Sequence, residues 1–319
     1  MRRRRFFAWG LGAAACLAGG AAGCGTQRVG AGAAGLRTRF AIIPEGRRWA
    51  RAGLLFSGAA REAGYQLGPG TKITLSGLPA LAAAELNNDH TLLTATTPLS
   101  RLSGEVEVVV VPGDSGFKDF QDFGAHLLAD PARTPLAGRP QGGPDHLLFG
   151  LIAKGLGADT RQVDYTGYPN HQETATALSS GKAAAATGLL SDWRSGIHRE
   201  QVRALAVSSA RRVPELDVPT LLESGVRVDY AEWTAAFGPE GMTEDTREAA
   251  IGMCDDVTGS TAWDAACRSE GWISIPLSGD DFVVWLASEV ERTRAVMRDL
   301  GLVDTTKATT CWGSCGNGH

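Results

Sequence analysis

EVEVVVVP, residues 105–112, is the stretch whose reading decides the fold. Four consecutive β-branched valines ahead of a proline make the strongest strand signal in the chain. After it, Gly113–Gly116 form a turn into a helix over 119–128. The loop AGRPQGG (137–143) then feeds an apolar helix over 146–156, followed by a strand at 162–165, a helix at 172–180, and strands at 182–188 and 202–207. On the other side, the pattern predicts strands at 39–43, 72–75 and 90–96, with helices at 51–64 and 79–85. Beyond residue 207 it predicts a helix start at 220–223, extended chain over 226–237, and helices at 246–257, 261–270 and 280–300. This alternation is the signature of an α/β fold with largely parallel sheets, and the length favours two lobes over one.

Composition bounds what such a fold can do. The chain has 319 residues, a net charge of −4, 43% hydrophobic and 21% charged residues. That is too apolar for disorder, and it lacks the basic face that nucleic acid requires, so no nucleic-acid partner is expected.

The front end is a different material. Arg2–Arg5 form a positive segment, Phe6–Ala22 carry no charge, and Ala21-Ala22-Gly23 precede Cys24. This is an export signal, and its small-residue ending before a cysteine resembles a bacterial lipobox, with Cys24 as the lipidated residue. Arginines ahead of paired phenylalanines also resemble a twin-arginine signal. No later stretch reaches the roughly 18 apolar residues of a membrane span. The expected organisation is a lipoprotein signal (1–24), a Gly/Ala-rich tether (25–36), lobe 1 (37–104 plus 229–303), lobe 2 (105–228) and a C-terminal tail (304–319). Export permits disulfides, with Cys254–Cys267 and Cys311–Cys315 as the neighbouring pairs. Four cysteines allow three connectivities, and a disulfide is favoured over metal held by Cys311, Cys315 and His319.

Several motifs carry letters without context. Gly30-x-Gly32-x-x-Gly35 matches a dinucleotide fingerprint but has no strand before it. Gly113-Asp114-Ser115-Gly116 copies a serine-protease nucleophile, yet Asp114 and Ser115 read better as turn and N-cap residues. Gly181-Lys182 lacks the rest of a phosphate loop, and the histidines at 90, 126, 146, 171 and 198 show no metal-ligand spacing. His146 and His171 alone fall near candidate site loops. No enzyme activity, cofactor or metal is expected.

The glycine-rich loop is more informative. Pro144 suits the first turn of a helix, Asp145 complements its dipole, and the amides around Gly142, Gly143 and Asp145 are placed to face an anion. Arg139 can add a full charge.

Several stretches, in order, resemble the extracytoplasmic solute-binding proteins of tripartite tricarboxylate transporters. They are VVVPGDSGFKDFQDF, AGRPQGGPDHLLFGLIAKGLGAD, VDYTGYPNHQETATALSSGKAAAATG, VRALAVSSARRVPELDVPTLLESGV and AAFGPEGM. The resemblance implies a two-lobed, type II-like periplasmic binding protein, each lobe a mostly parallel sheet flanked by helices, joined by two crossing strands. It implies a di- or tricarboxylate held between the lobes and delivered to membrane transporter subunits, with the protein a lipid-anchored monomer on the outer face of the cell membrane or in the periplasm.

Carried onto this chain, the ligand-binding residues are Pro44, Glu45, Gly46, Arg47, Thr96 and Thr97 from lobe 1. Lobe 2 supplies Arg139, Gly142, Gly143, Asp145, Tyr165, Gly167, Tyr168, Thr187 and Gly188. The chain departs from the family at PEGRRWARAG, where glycines are usual, and at Arg139, Pro140 and Pro144, where serines are usual. Arg47, Arg48 and Arg139 can pair with a carboxylate directly. Rival readings are a sensor or orphan receptor of the same fold and an exported hydrolase using Ser115.

Overall fold

The computed structural model describes residues 38–89, 94–214 and 216–303. The export signal with Cys24, the tether, and the tail with Cys311, Cys315 and His319 lie outside them. Among the described residues nine strands run β1 (Phe40–Pro44), β2 (Thr71–Gly77), β3 (Thr96–Pro112), β4 (Leu136–Gly138), β5 (Tyr165–Gly167), β6 (Ala185–Leu189), β7 (Val202–Val207), β8 (Ala231–Pro239) and β9 (Trp272–Ser278). The helices are α1 (Ala50–Glu62), α2 (Leu78–Leu86), α3 (Phe120–Ala129), α4 (Pro144–Leu156), α5 (His171–Ser179), α6 (Leu190–His198), α7 (Glu244–Thr258), α8 (Thr261–Glu270) and α9 (Gly279–Asp299).

The valine run is the far half of a 17-residue strand. Up to Val106, β3 sits in a first sheet of order β1-β2-β8-β3-β9. From Glu107 onward it is the second strand of a sheet of order β7-β3-β6-β4-β5. One strand therefore carries both sheets, and the residues at its midpoint stand where they meet.

The sheets are mixed, which corrects the expectation of mostly parallel ones. β6, β7, β8 and β9 all pair antiparallel with β3, and only β1–β2, β4–β5 and β4–β6 are parallel. Alternation of strands and helices predicted the layers correctly. It carries no direction for a strand that crosses from one sheet to another.

Three buried clusters hold these layers. Phe40, Phe56, Leu75 and Trp263 pack beneath α1, α7 and α8, with Phe56 and Trp263 edge-on at 5.8 Å. Val108, Val110, Leu178 and Trp193 pack beneath α5 and α6. The largest cluster joins Leu78, Trp233 and Phe282, near the first sheet, to Phe123, Leu148 and Phe149, near the second.

Cys254 and Cys267, expected as a possible disulfide pair, are free thiols buried in the first of these cores. Burial pushes the Cys254 thiol above its usual range and Cys267 up to about 11, as inert core thiols behave. The N-cap of α3 is Asp119, whose carboxylate accepts from the Asp122 amide, not Ser115. Thr220 and Glu223 make a reciprocal capping pair, but no helix follows.

Candidate functional site

Two loops face each other beside the midpoint of β3. The first leaves β1 at Pro44 and turns through Gly46, whose φ of +82° places it in the left-handed region, into a short turn over Arg47–Trp49. Buried Trp49 anchors that turn, while Glu45, Gly46 and Arg47 stay exposed. The second loop leaves β4 at Gly138 and enters α4 at Pro144, with Pro at the first helical position and left-handed Gly157 past the end.

The second loop is folded on itself. Asp145 Oδ2 accepts from the Arg139 amide at 2.7 Å, and Oδ1 accepts from Arg139 Nε and Nη2 at 2.9 and 2.5 Å. Gly142, at φ +80°, donates its amide to His146 Nδ1 at 3.1 Å, and the Gly143 amide donates to the Pro140 carbonyl at 3.0 Å. The amides of Gly142 and Gly143, expected to face an anion, are thus used inside the loop. Asp145 serves as an internal acceptor for Arg139 rather than as a rim residue.

The supports come from three further strands or turns. Tyr165 donates its hydroxyl to the Arg139 carbonyl at 2.6 Å and stacks on His146 at 4.1 Å. Thr187 donates to the Asp145 carbonyl at 3.1 Å, and the Tyr168 amide donates to the Gly138 carbonyl at 2.8 Å. Gly167 is a close-approach position, since a Cβ there would stand 2.4 Å from the Gln141 nitrogen. Gly188 packs against Trp193. The structure therefore brings Arg139, Gly142, Gly143, Asp145, Tyr165, Gly167, Tyr168, Thr187 and Gly188 together.

Sequence reasoning missed what joins the two loops. Glu232, buried on β8, accepts from Arg139 Nη2 at 2.8 Å and from Arg48 Nε at 2.7 Å, with Arg48 Nη2 on the same oxygen as the latter. Arg48, not Arg47, is the cation that the first loop contributes. Burial works to raise the Glu232 carboxyl, but the two guanidiniums outweigh it and hold it below its usual range. Burial likewise opposes the charge on Arg139, and Glu232 and Asp145 more than restore it.

Glu107 lies behind Arg139, fully buried, with its nearer oxygen 4.0 Å from Nη2. Neither of its carboxylate oxygens has a hydrogen-bond partner among the described residues. Burial first, then the charge of Asp145, pushes its carboxyl well above the usual range. Glu105 is pushed up to about 7 by burial and by Glu232. His146 is pushed down to about 4 by burial, which suits a neutral ring accepting from Gly142.

Oxygens of Glu107, Asp145 and Glu232 lie within 4.8 Å of one another, a spacing a cation could use. The Arg139 guanidinium sits among them and supplies that positive charge.

Two cavities open beside this cluster. One, of about 510 Å3, is lined by Arg48, Pro79, Leu86, Arg139, Pro140, Gly142 and Pro169 among others. The second, of about 400 Å3, is lined by Glu45, Thr74, Thr96 and Phe237 among others. Ala83 and Asn87 of the α2 end border both, so the predicted residues divide between neighbouring spaces. Arg139, Gly142 and Gly143 line the first and Glu45 and Thr96 the second; the other ten predicted residues line neither, and Thr97 donates to the Pro239 carbonyl at 2.7 Å.

Ser115 is occupied locally, its hydroxyl accepting from the Phe117 amide at 3.3 Å, and no histidine among the described residues is hydrogen-bonded to it. No helix of the described residues is long and apolar enough to cross a membrane.

A sequence model of the family described as "Tripartite tricarboxylate transporter family receptor" matches residues 61–301, well over half the chain. A UPF0065 protein from the tcbD-tcbE intergenic region of a Pseudomonas species is 28% identical over 144 residues, 44% of this chain. The match spans 42% of that curated relative's length. Among solved structures, a TctC solute-binding protein from Polaromonas superposes with a TM-score of 0.68 at 15% identity, covering 82% of this chain and 98% of that one. A Rhodopseudomonas palustris protein with adipate gives 0.61 at 17% identity, and MatC from the same organism with bound malate gives 0.56 at 16%. Each covers 83% of this chain and 98% of the other. At these identities the likeness is one of fold.

Proposed function

The chain belongs to the tripartite tricarboxylate transporter receptor family, and we propose that it is a lipid-anchored, extracytoplasmic solute-binding protein. It captures an organic acid between its two lobes, which divide near residues 104/105 and 228/229, and presents it to the membrane subunits of a transporter. Cys24 is the anchor, and the protein works as a monomer without cofactor or catalysis. The observation that carries this reading is the meeting of Arg48 and Arg139, one from each loop, over Glu232 at the wall of a cavity large enough for a small ligand. The adipate and malate named with two fold neighbours lend support to an acid as the ligand.

Lobes linked by crossings near 104/105 and 228/229 can hinge, and a ligand touching both loops would favour the arrangement that encloses it. The test is a thermal-shift screen across mono-, di- and tricarboxylates. An acid at about 100 times its dissociation constant adds roughly 2.7 kcal/mol of stability. A folded sample indifferent to every carboxylate would overturn the reading. Anchoring is tested separately, since Cys24→Ala should move the protein from the membrane fraction to the soluble one.

A further inference from the structure

Resting on the solute-binding reading, we propose that the 510 Å3 cavity selects a monocarboxylate with an apolar body over di- and tricarboxylates. The lining explains why. Among the described residues that line it, the charged ones are Arg48 and Arg139, and the uncharged polar side chains are Asn87 and Gln141. Pro79, Leu86, Pro140 and Pro169 supply apolar wall.

Both arginines spend one edge on the protein. Arg48 gives Nε and Nη2 to Glu232, and Arg139 gives Nε to Asp145 and Nη2 to Asp145 and Glu232. Neither Nη1 donates to an acceptor among the described residues. Two guanidiniums that line one cavity from opposite loops, both anchored on Glu232, make a seat for one carboxylate. Among the described residues no third cation lines the cavity to receive another, and the loop amides of Gly142 and Gly143 are already used.

Charge balance points the same way. The two arginines are matched by Glu232 and Asp145, and burial and the Asp145 charge oppose a further anion at Glu107 behind them. A bound monoanion leaves one net negative charge near the cluster. A second carboxylate would lie against prolines and Leu86 with only the Asn87 and Gln141 amides to donate to it and no guanidinium to match its charge, a poor exchange for the water it gives up.

The experiment titrates the protein with a matched set: hexanoate, octanoate and phenylacetate against adipate, malate and citrate, with hexanamide as the uncharged control. Hexanoate and adipate share a six-carbon chain, so their comparison isolates the second carboxylate. Hexanoate is expected to bind more than tenfold tighter than adipate, with about a fourfold gain per added methylene towards octanoate. Arg48→Gln should weaken hexanoate about 10- to 100-fold, the loss of a charge-assisted pair, and leave hexanamide unchanged. Leu86→Asn should narrow the gap between hexanoate and adipate.

Adipate or citrate binding as tightly as hexanoate overturns the selectivity while leaving the solute-binding reading intact. Failure of every acid, in a protein that still melts cooperatively, overturns both. The wild-type series decides the matter even if a variant does not fold.

Discussion

The two loops that meet beside β3 are built on opposite principles. The second is closed from within: its carboxylate, two of its amides and a buried imidazole all satisfy one another, and Tyr165 and Thr187 pin it from neighbouring strands. The first is held at one end by Trp49 and at the other by β1, with Glu45, Gly46 and Arg47 exposed between. Between those ends the Glu45 amide donates to the Leu75 carbonyl at 2.9 Å, and the side-chain tie to the interior is Arg48, itself 35% exposed. A preorganised half holds its geometry before a ligand arrives, and a lightly tied half can adjust to it. Perturbing the second loop should therefore disturb stability, and perturbing the first should disturb binding.

The largest expected effect comes from Arg139→Met. It leaves Asp145 without its main partner, Glu232 with only the half-exposed Arg48, and Glu107 beside an Asp145 that has lost its cation. Removing one partner of a buried charge network costs about 3–5 kcal/mol. Urea denaturation should show that loss. A change below 1 kcal/mol would mean the second loop is not held by this cluster.

Acid should expose the same loop through His146. Its folded value, about 4, lies below that of the unfolded chain, about 6.5. The neutral ring therefore contributes its full stability above pH 6.5, and that contribution is lost as pH falls towards 4. The shift corresponds to about 3 kcal/mol. Stability measured from pH 8 to 4 in the wild type and in His146→Gln should show a shallower decline in the variant over that window.

Glu107 has the opposite sign. Because its carboxyl is raised, its contribution is full below the ordinary carboxylate range and is lost as pH rises through the folded value. Glu107→Gln keeps the shape and removes the ionisation. It should raise stability at pH 8 by about 1–3 kcal/mol, the scale of an unsatisfied buried group. Equal stability of variant and wild type from pH 5 to 9 would show that Glu107 has a partner after all.

The two loops also differ in how legible they were. Gly142, Gly143 and Pro144 announce a loop feeding a helix, and the structure places that helix where the pattern put it. The direction of their hydrogen bonds was hidden, because Asp145 can face outward or curl back on Arg139 at no cost to the pattern. Glu232 was invisible for another reason. Its partners lie 184 and 93 residues away, and in the sequence it is one acid in an extended stretch. Glu107 looked like a polar interruption of a valine strand, and nothing local says that it falls at the junction of two sheets. β9 was missed altogether: WISIPLS is half-buried along an edge and lacks the valine-rich signal of β3. Patterns legible over ten residues survived, and facts created by the crossing of β3 did not.

The smallest expected effect on stability tests the first loop. Arg48→Gln removes an ion pair whose cation is partly in water, where such pairs are worth about 0–1 kcal/mol. Glu232 keeps its bond to Arg139, so the buried carboxylate is not orphaned. Denaturation should shift by less than 1 kcal/mol, while hexanoate affinity falls about 10- to 100-fold. The contrast with Arg139→Met is what matters, because both arginines touch Glu232 and line the same cavity. If Arg48→Gln destabilised the protein as much as Arg139→Met, the first loop would be as preorganised as the second. The lobes would then be latched through Glu232 whether or not a ligand is present.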